Sequence, residues 1–96
     1  MPEENLIPAA EFCIHYQIEV SFLYSLHDLG LISLSVVQEQ AYIDAEELAQ
    51  LEKMIRLHEL DINPEGIDAL TAMSLRMEAL QRELTTLRNR LRRYEG

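Results

Sequence analysis

The first 52 residues contain no lysine and no arginine. A nucleic-acid reader neutralises phosphates with roughly six to ten basic side chains, so this half of the chain cannot supply that grip. Cys13 is the only cysteine, which excludes an internal disulfide framework and suits a reducing compartment. Glycine and proline number 3 each, too few for a collagen-like or low-complexity chain. No apolar run approaches the roughly 20 residues of a membrane span. Met1-Pro2-Glu3-Glu4 lacks the basic start and apolar core of a secretory signal. These absences lead to the expectation of a cytoplasmic protein with no membrane partner.

Catalytic and metal signatures are missing too. His15, His27 and His58 stand apart, none four residues from another histidine or from Cys13, so no zinc-type spacing exists. There is no glycine-rich phosphate loop and no nucleophile elbow. A lone cysteine on an apolar stripe reads as core. No enzyme activity, cofactor or metal is expected.

What is present is acid. The net charge is −9 from 17 acids and 8 bases. Ten of the acids lie in the first 52 residues: Glu3, Glu4, Glu11, Glu19, Asp28, Glu39, Asp44, Glu46, Glu47 and Glu52. All the bases lie beyond, ending in Arg88, Arg90, Arg92 and Arg93. Such a surface either keeps a small protein soluble or faces a basic partner. With 96 residues and 48% apolar content, the chain makes one small domain with a thin core, which oligomerisation would supplement.

Apolar spacing organises the chain. Pro8 suits the first turn of a helix carrying Ala9, Phe12, Cys13 and Tyr16 on one stripe. Gln17-Ile18-Glu19 forms a turn, and Phe22, Leu23, Leu26 and Leu29 mark a second helix. Gly30 takes the C-terminal glycine position, with Leu31 as its apolar contact. Two short helices around a tight turn outline a helix-turn-helix. Ile32, Leu34 and Val36 then alternate with serines as a half-buried strand does, and Gln40–Ile43 is its return strand. Asp44 and Glu47 suggest a capping box for a helix reaching Leu60, with Leu48, Leu51, Ile55 and His58 along one face and Glu52 paired with Arg56. Asn63 and Pro64 cap and start a last helix, whose first turn Gly66 weakens by about 1 kcal/mol relative to Ala.

That last helix carries the clearest pattern. Leu70, Met73, Met77, Leu80, Leu84, Leu87, Leu91 and Tyr94 form an unbroken heptad stripe. So narrow a stripe fits another helix better than a globular core. In a parallel pair, Glu83 would meet the partner's Arg88 and Arg90 the partner's Glu95. The competing arrangement lays the stripe antiparallel on the helix at 44–60 of the same chain, which is too short to cover all of it. The stripe is therefore assigned to homodimerisation, with its orientation open. Residues 1–62 form an acidic helix-turn-helix, wing and third helix, and 63–96 the long helix.

The order of parts looks like a MerR-type helix-turn-helix with a small wing. A narrower resemblance rests on a collinear series: Glu11-Phe12-Cys13-Ile14-His15, Leu29-Gly30-Leu31-Ile32, Tyr42-Ile43-Asp44, Arg56-Leu57-His58-Glu59-Leu60, Asn63-Pro64-Glu65-Gly66-Ile67, and Leu80, Leu84, Leu87-Arg88, Leu91. Over residues 6–93 the chain resembles the chaperone-modulator family CbpM. The resemblance implies binding to the J-domain of a DnaJ-like co-chaperone of the CbpA type, with inhibition of its co-chaperone and DNA-binding activities. It also implies a mainly α fold: a MerR-like winged helix-turn-helix with a β-hairpin wing and a long C-terminal heptad helix. The J-domain carries a basic helix, which fits a half-chain with ten acids and no base. Charge and expected exposure single out Glu19, Tyr24, His27, Asp28, Glu39 and Tyr42 as partner contacts. Two other readings are a MerR-like regulator binding DNA and a coiled-coil adaptor that binds only through its last helix.

Overall fold

Each of the three short helices stops where one residue turns left-handed. The computed structural model describes residues 5–95, so Glu3 and Glu4 of the acidic half lie outside the described residues. Helix α1 (Ala9–Tyr16) ends at Gln17, α2 (Val20–Asp28) at Gly30 and α3 (Leu48–Glu59) at Asp61, with φ of 56°, 78° and 67°. In each case the next N–H reaches back to close the helix: Ile18 to the Cys13 carbonyl (3.0 Å), Leu31 to Leu26 (2.9 Å) and Ile62 to Leu57 (3.2 Å). Those three apolar residues then pack on the core. This is the Schellman ending, and glycine serves only one of the three.

The turn at Gln17–Glu19 sets α2 against α1, as the sequence predicts. Phe22, Leu23 and Leu26 are buried, but Leu29 lies at the exposed edge where α2 ends. The sheet has one strand more than expected. Strand β1 (Leu6–Pro8) pairs antiparallel with β3 (Gln40–Asp44), which pairs with β2 (Leu34–Val37) on its other side. Pro8 thus closes a strand and precedes α1 rather than opening the helix. A three-residue strand carries no usable periodicity, and its partner lies more than 30 residues away. Ile32 and Ile43 are buried, whereas Val36 is 72% exposed because β2 overhangs the core there.

The hairpin is closed by two residues, since Val37 pairs with Gln40. Gln38 and Glu39 both have positive φ, 51° and 66°. A two-residue hairpin turn with both residues left-handed is the type I′ geometry that favours Asn-Gly. Two L-residues held there carry strain of roughly 1 kcal/mol each. Replacing Gln38→Asn and Glu39→Gly should stabilise the fold by about 1 kcal/mol, raising the melting temperature by about 4–8 °C. A thermal melt at fixed protein concentration checks this.

The expected capping box does not close. Asp44 caps a short 3₁₀ turn (Ala45–Glu47), its Oδ1 accepting from the Glu46 N–H at 3.3 Å. Glu47 does not reach back to it. Both its carboxylate oxygens accept from the Ser33 N–H, at 2.9 and 3.1 Å, tying the loop before β2 to α3. The α-helix therefore begins at Leu48, three residues later than an Asp44 N-cap implies. Leu51 and Ile55 are buried as expected, and so is Met54. Glu52 makes no ion pair with Arg56; the Tyr16 hydroxyl donates to its Oε1 at 3.0 Å instead. His58 does face the core, its ring stacked on Phe22 at 4.0 Å.

Helix α4 (Pro64–Glu95) starts as the sequence predicts, the Gly66 N–H donating to Asn63 Oδ1 at 2.8 Å. Gly66 does more than weaken this turn. A Cβ there would lie 2.8 Å from the Ile62 Cγ2 methyl, so the glycine admits the apolar residue that closes α3. Ile67 inserts fully into the core and joins α4 to the rest. Beyond Thr71 the helix leaves the core. Its 32 residues span about 48 Å, and the radius of gyration is 18.2 Å against about 12 Å for a compact chain of this length.

Candidate functional site

The exposed side of α2 is the face a helix-turn-helix offers to a partner. Here it carries Val20, Ser21, Tyr24, His27 and Asp28, with no lysine or arginine. Its termini are acidic. Glu19 precedes the helix, its Oε2 accepting from the Ser21 hydroxyl at 3.2 Å, and Asp28 closes it 3.6 Å from the His27 ring nitrogen. Glu19, His27 and Asp28 are all exposed, and Tyr24 is partly so. Glu39 stands at the tip of the hairpin wing.

The six sequence-predicted contact residues do not share one face. Tyr24 lines a groove between the start of α1, the exposed side of α2 and strand β3. His27 and Asp28, three and four residues on, both lie about one turn along α2 from it. Tyr42 belongs to the opposite face of the wing. Strand alternation places it with Ser35, its neighbour in register, while Ala41 and Ile43 face inward. Its hydroxyl donates to Gln40 Oε1 at 3.3 Å.

The groove also holds residues the sequence did not single out. Its volume is about 390 Å³, with Pro8, Ala9, Ala10, Val20 and Ala41 as apolar lining and Glu11 and Gln40 as polar lining. Alanines carry no chemical signal in a sequence, and only the approach of the wing to α2 makes a concavity of them. A second groove of about 420 Å³ runs between α3 and α4, with Met54, Leu57, Leu70 and Leu75 inside and Glu46 and Glu78 on its rim.

The heptad stripe has no cover. Leu70, Met73, Met77, Leu80, Leu84, Leu87, Leu91 and Tyr94 are all exposed, from 39% at Leu70 to 90% at Tyr94. Within the chain, α3 meets only the base of α4 and does not lie along the stripe. Leu70 belongs to both the stripe and the second groove, so the two apolar surfaces are continuous.

Cys13 is buried in the core, and that burial pushes its thiol pKa up. A thiol so placed is a packing group. The Tyr16 hydroxyl also titrates higher than usual, first because it donates to Glu52, then through burial and the nearby carboxylate charge. Among the described residues, no group of three or more His, Cys, Asp and Glu side chains could hold a metal ion, and no helix is long and apolar enough to cross a membrane.

Comparison with known proteins agrees with this architecture. A family model described as MerR HTH family regulatory protein matches residues 7–89, from the first strand deep into the long helix. No curated protein and no solved structure matches the chain significantly. The match takes in the helix-turn-helix, the wing and most of α4 together, and the chain belongs to the MerR helix-turn-helix family of regulatory proteins.

Proposed function

We propose that this protein is a chaperone modulator. It binds the J-domain of a DnaJ-like co-chaperone of the CbpA type, inhibiting that protein's co-chaperone and DNA-binding activities. The carrying observation is the face of α2, which exposes two aromatic or imidazole rings and an acid but no base. A helix of that composition has nothing with which to neutralise phosphate, whereas a J-domain presents a basic helix. The resemblance of residues 6–93 to the chaperone-modulator family supports the same reading. The protein acts as a homodimer through the α4 stripe, and each protomer presents its own acidic face.

Acid-to-base recognition of this kind speeds association and makes it salt-sensitive. Calorimetric titration with the isolated J-domain of a CbpA-type protein should therefore give saturable binding near one J-domain per protomer, weakening as salt is added. Absence of binding at tens of micromolar by the folded protein would overturn the reading. So would a sequence-specific complex with duplex DNA at physiological salt, which would return the protein to a DNA-reading role.

A further inference from the structure

We infer that the groove between α1, α2 and the wing is a seat for an apolar side chain carried on a basic amphipathic helix. The inference rests on the proposal above for identifying that helix as the J-domain's, but its geometry stands alone. The floor is made of small side chains, Ala9, Ala10 and Ala41, flanked by the partly exposed Val20 and Tyr24. Small residues let a partner's backbone come close, and a tyrosine wall offers a large contact at little entropic cost. One acid, Glu11 on α1, lines the groove itself, and two more directly precede groove residues in the chain, Glu19 before Val20 and Glu39 before Gln40. Residues 1–52 contain no base to offset them.

The kind of partner follows from what the groove withholds. Strand β3 is paired on both sides, by β1 and β2, and the edge strand β1 gives the groove only Pro8, which has no N–H to donate, so the groove offers an extended peptide little main-chain pairing. The backbone of α2 is bonded within its helix. Side chains are what remain for recognition, and a helix delivers them as a short apolar row with bases on its flanks. The apolar anchor supplies affinity that salt does not remove. The surrounding acids supply the approach, which salt does weaken.

Two probes test this: the isolated J-domain, and a short synthetic helix with leucines on one face and lysines on the other. Amide resonances of the full-length protein are followed by NMR, and affinities are measured across a salt series. Both probes should move the amides of Ala10, Val20, Tyr24 and Ala41. Ala10→Phe fills the groove from an exposed helical position and should weaken both by about tenfold or more at every salt concentration. Tyr24→Ala, which removes a wall, should act in the same direction. Glu11→Gln, Glu19→Gln and Glu39→Gln combined should instead flatten the salt dependence. If the J-domain binds but the groove amides stay still and Ala10→Phe binds as well as the native protein, the groove inference falls and the J-domain proposal stands. If the J-domain does not bind while the synthetic helix moves those amides and is blocked by Ala10→Phe, the groove stands and the J-domain proposal falls. If neither probe binds, both are overturned.

Discussion

Replacing Leu84→Asp and Leu87→Asp together should turn the protein into a monomer. The two leucines lie in the middle of the stripe, one turn apart on α4, and both are about half exposed in the single chain. A symmetric pair would bury each of them twice. Fully burying a leucine gains about 1.5–3 kcal/mol, and an aspartate at the same place would be a charge buried without a partner. The dimer dissociation constant should rise at least about a thousandfold. Sedimentation equilibrium at micromolar concentration reads this directly. A dimer that survives the double substitution would overturn the heptad assignment. The same variant separates two roles for the long helix. If α4 serves only to pair protomers, J-domain binding per protomer is largely retained. If the protein is an adaptor that binds everything through α4, partner binding disappears with the dimer.

The elements that local sequence rules describe are the ones that were legible. Asn63, Pro64 and Gly30 announce helix ends through their own backbone and side-chain chemistry, and the structure bears them out at 2.8 Å and φ 78°. The helix-turn-helix and the hairpin followed from apolar spacing alone. What stayed hidden depends on distance along the chain or on backbone strain. Strand β1 exists because β3 passes beside it. Glu47 gives its carboxylate to Ser33 rather than to its own helix, and Glu52 gives its carboxylate to Tyr16 rather than to Arg56. In both pairs a tertiary partner displaced the local one, and nothing in local spacing signals which will win. Gln17, Gln38, Glu39 and Asp61 all occupy left-handed backbone that glycine or asparagine usually marks. Of the site, the missing bases were plain in the sequence. The groove was not, since its floor is alanine drawn from α1 and β3.

The charge pattern and the apolar pattern also divide the molecule differently. Acid without base covers the helix-turn-helix and the wing, while the arginines gather along the free part of α4. The apolar surfaces instead follow shape: a concavity beside the wing, and a stripe extending from the groove at the base of α4. A partner that needed only the acidic face would have no need of the stripe, so mutation should separate the two.

Ile67→Ala should loosen the joint between head and helix. Ile67 is the only described residue of α4 that is buried, and it is fully so. The first turn around it is held by the Asn63 cap and by the close approach of Ile62 to Gly66. Truncating a fully buried isoleucine costs about 2–5 kcal/mol, made up of lost transfer energy and an unfilled cavity. In a core built from a dozen buried side chains, that is a large share of the roughly 5–10 kcal/mol that stabilises a domain of this size. A loss of about 3 kcal/mol lowers the melting temperature by about 10–20 °C. Ile67→Val, which removes one methylene, should cost about 1 kcal/mol and serves as the graded control. Because self-association would raise apparent stability, both variants are melted at one protein concentration. Ile67 lies before the stripe begins at Leu70, so the variant should remain a dimer below its melting temperature. Ile67→Ala should thus weaken the head and leave the proposed pairing helix intact, and the Leu84/Leu87 double substitution should remove the proposed pairing and leave the head intact. A melting temperature within about 2 °C of the native protein for Ile67→Ala would mean that α4 is not anchored through this residue.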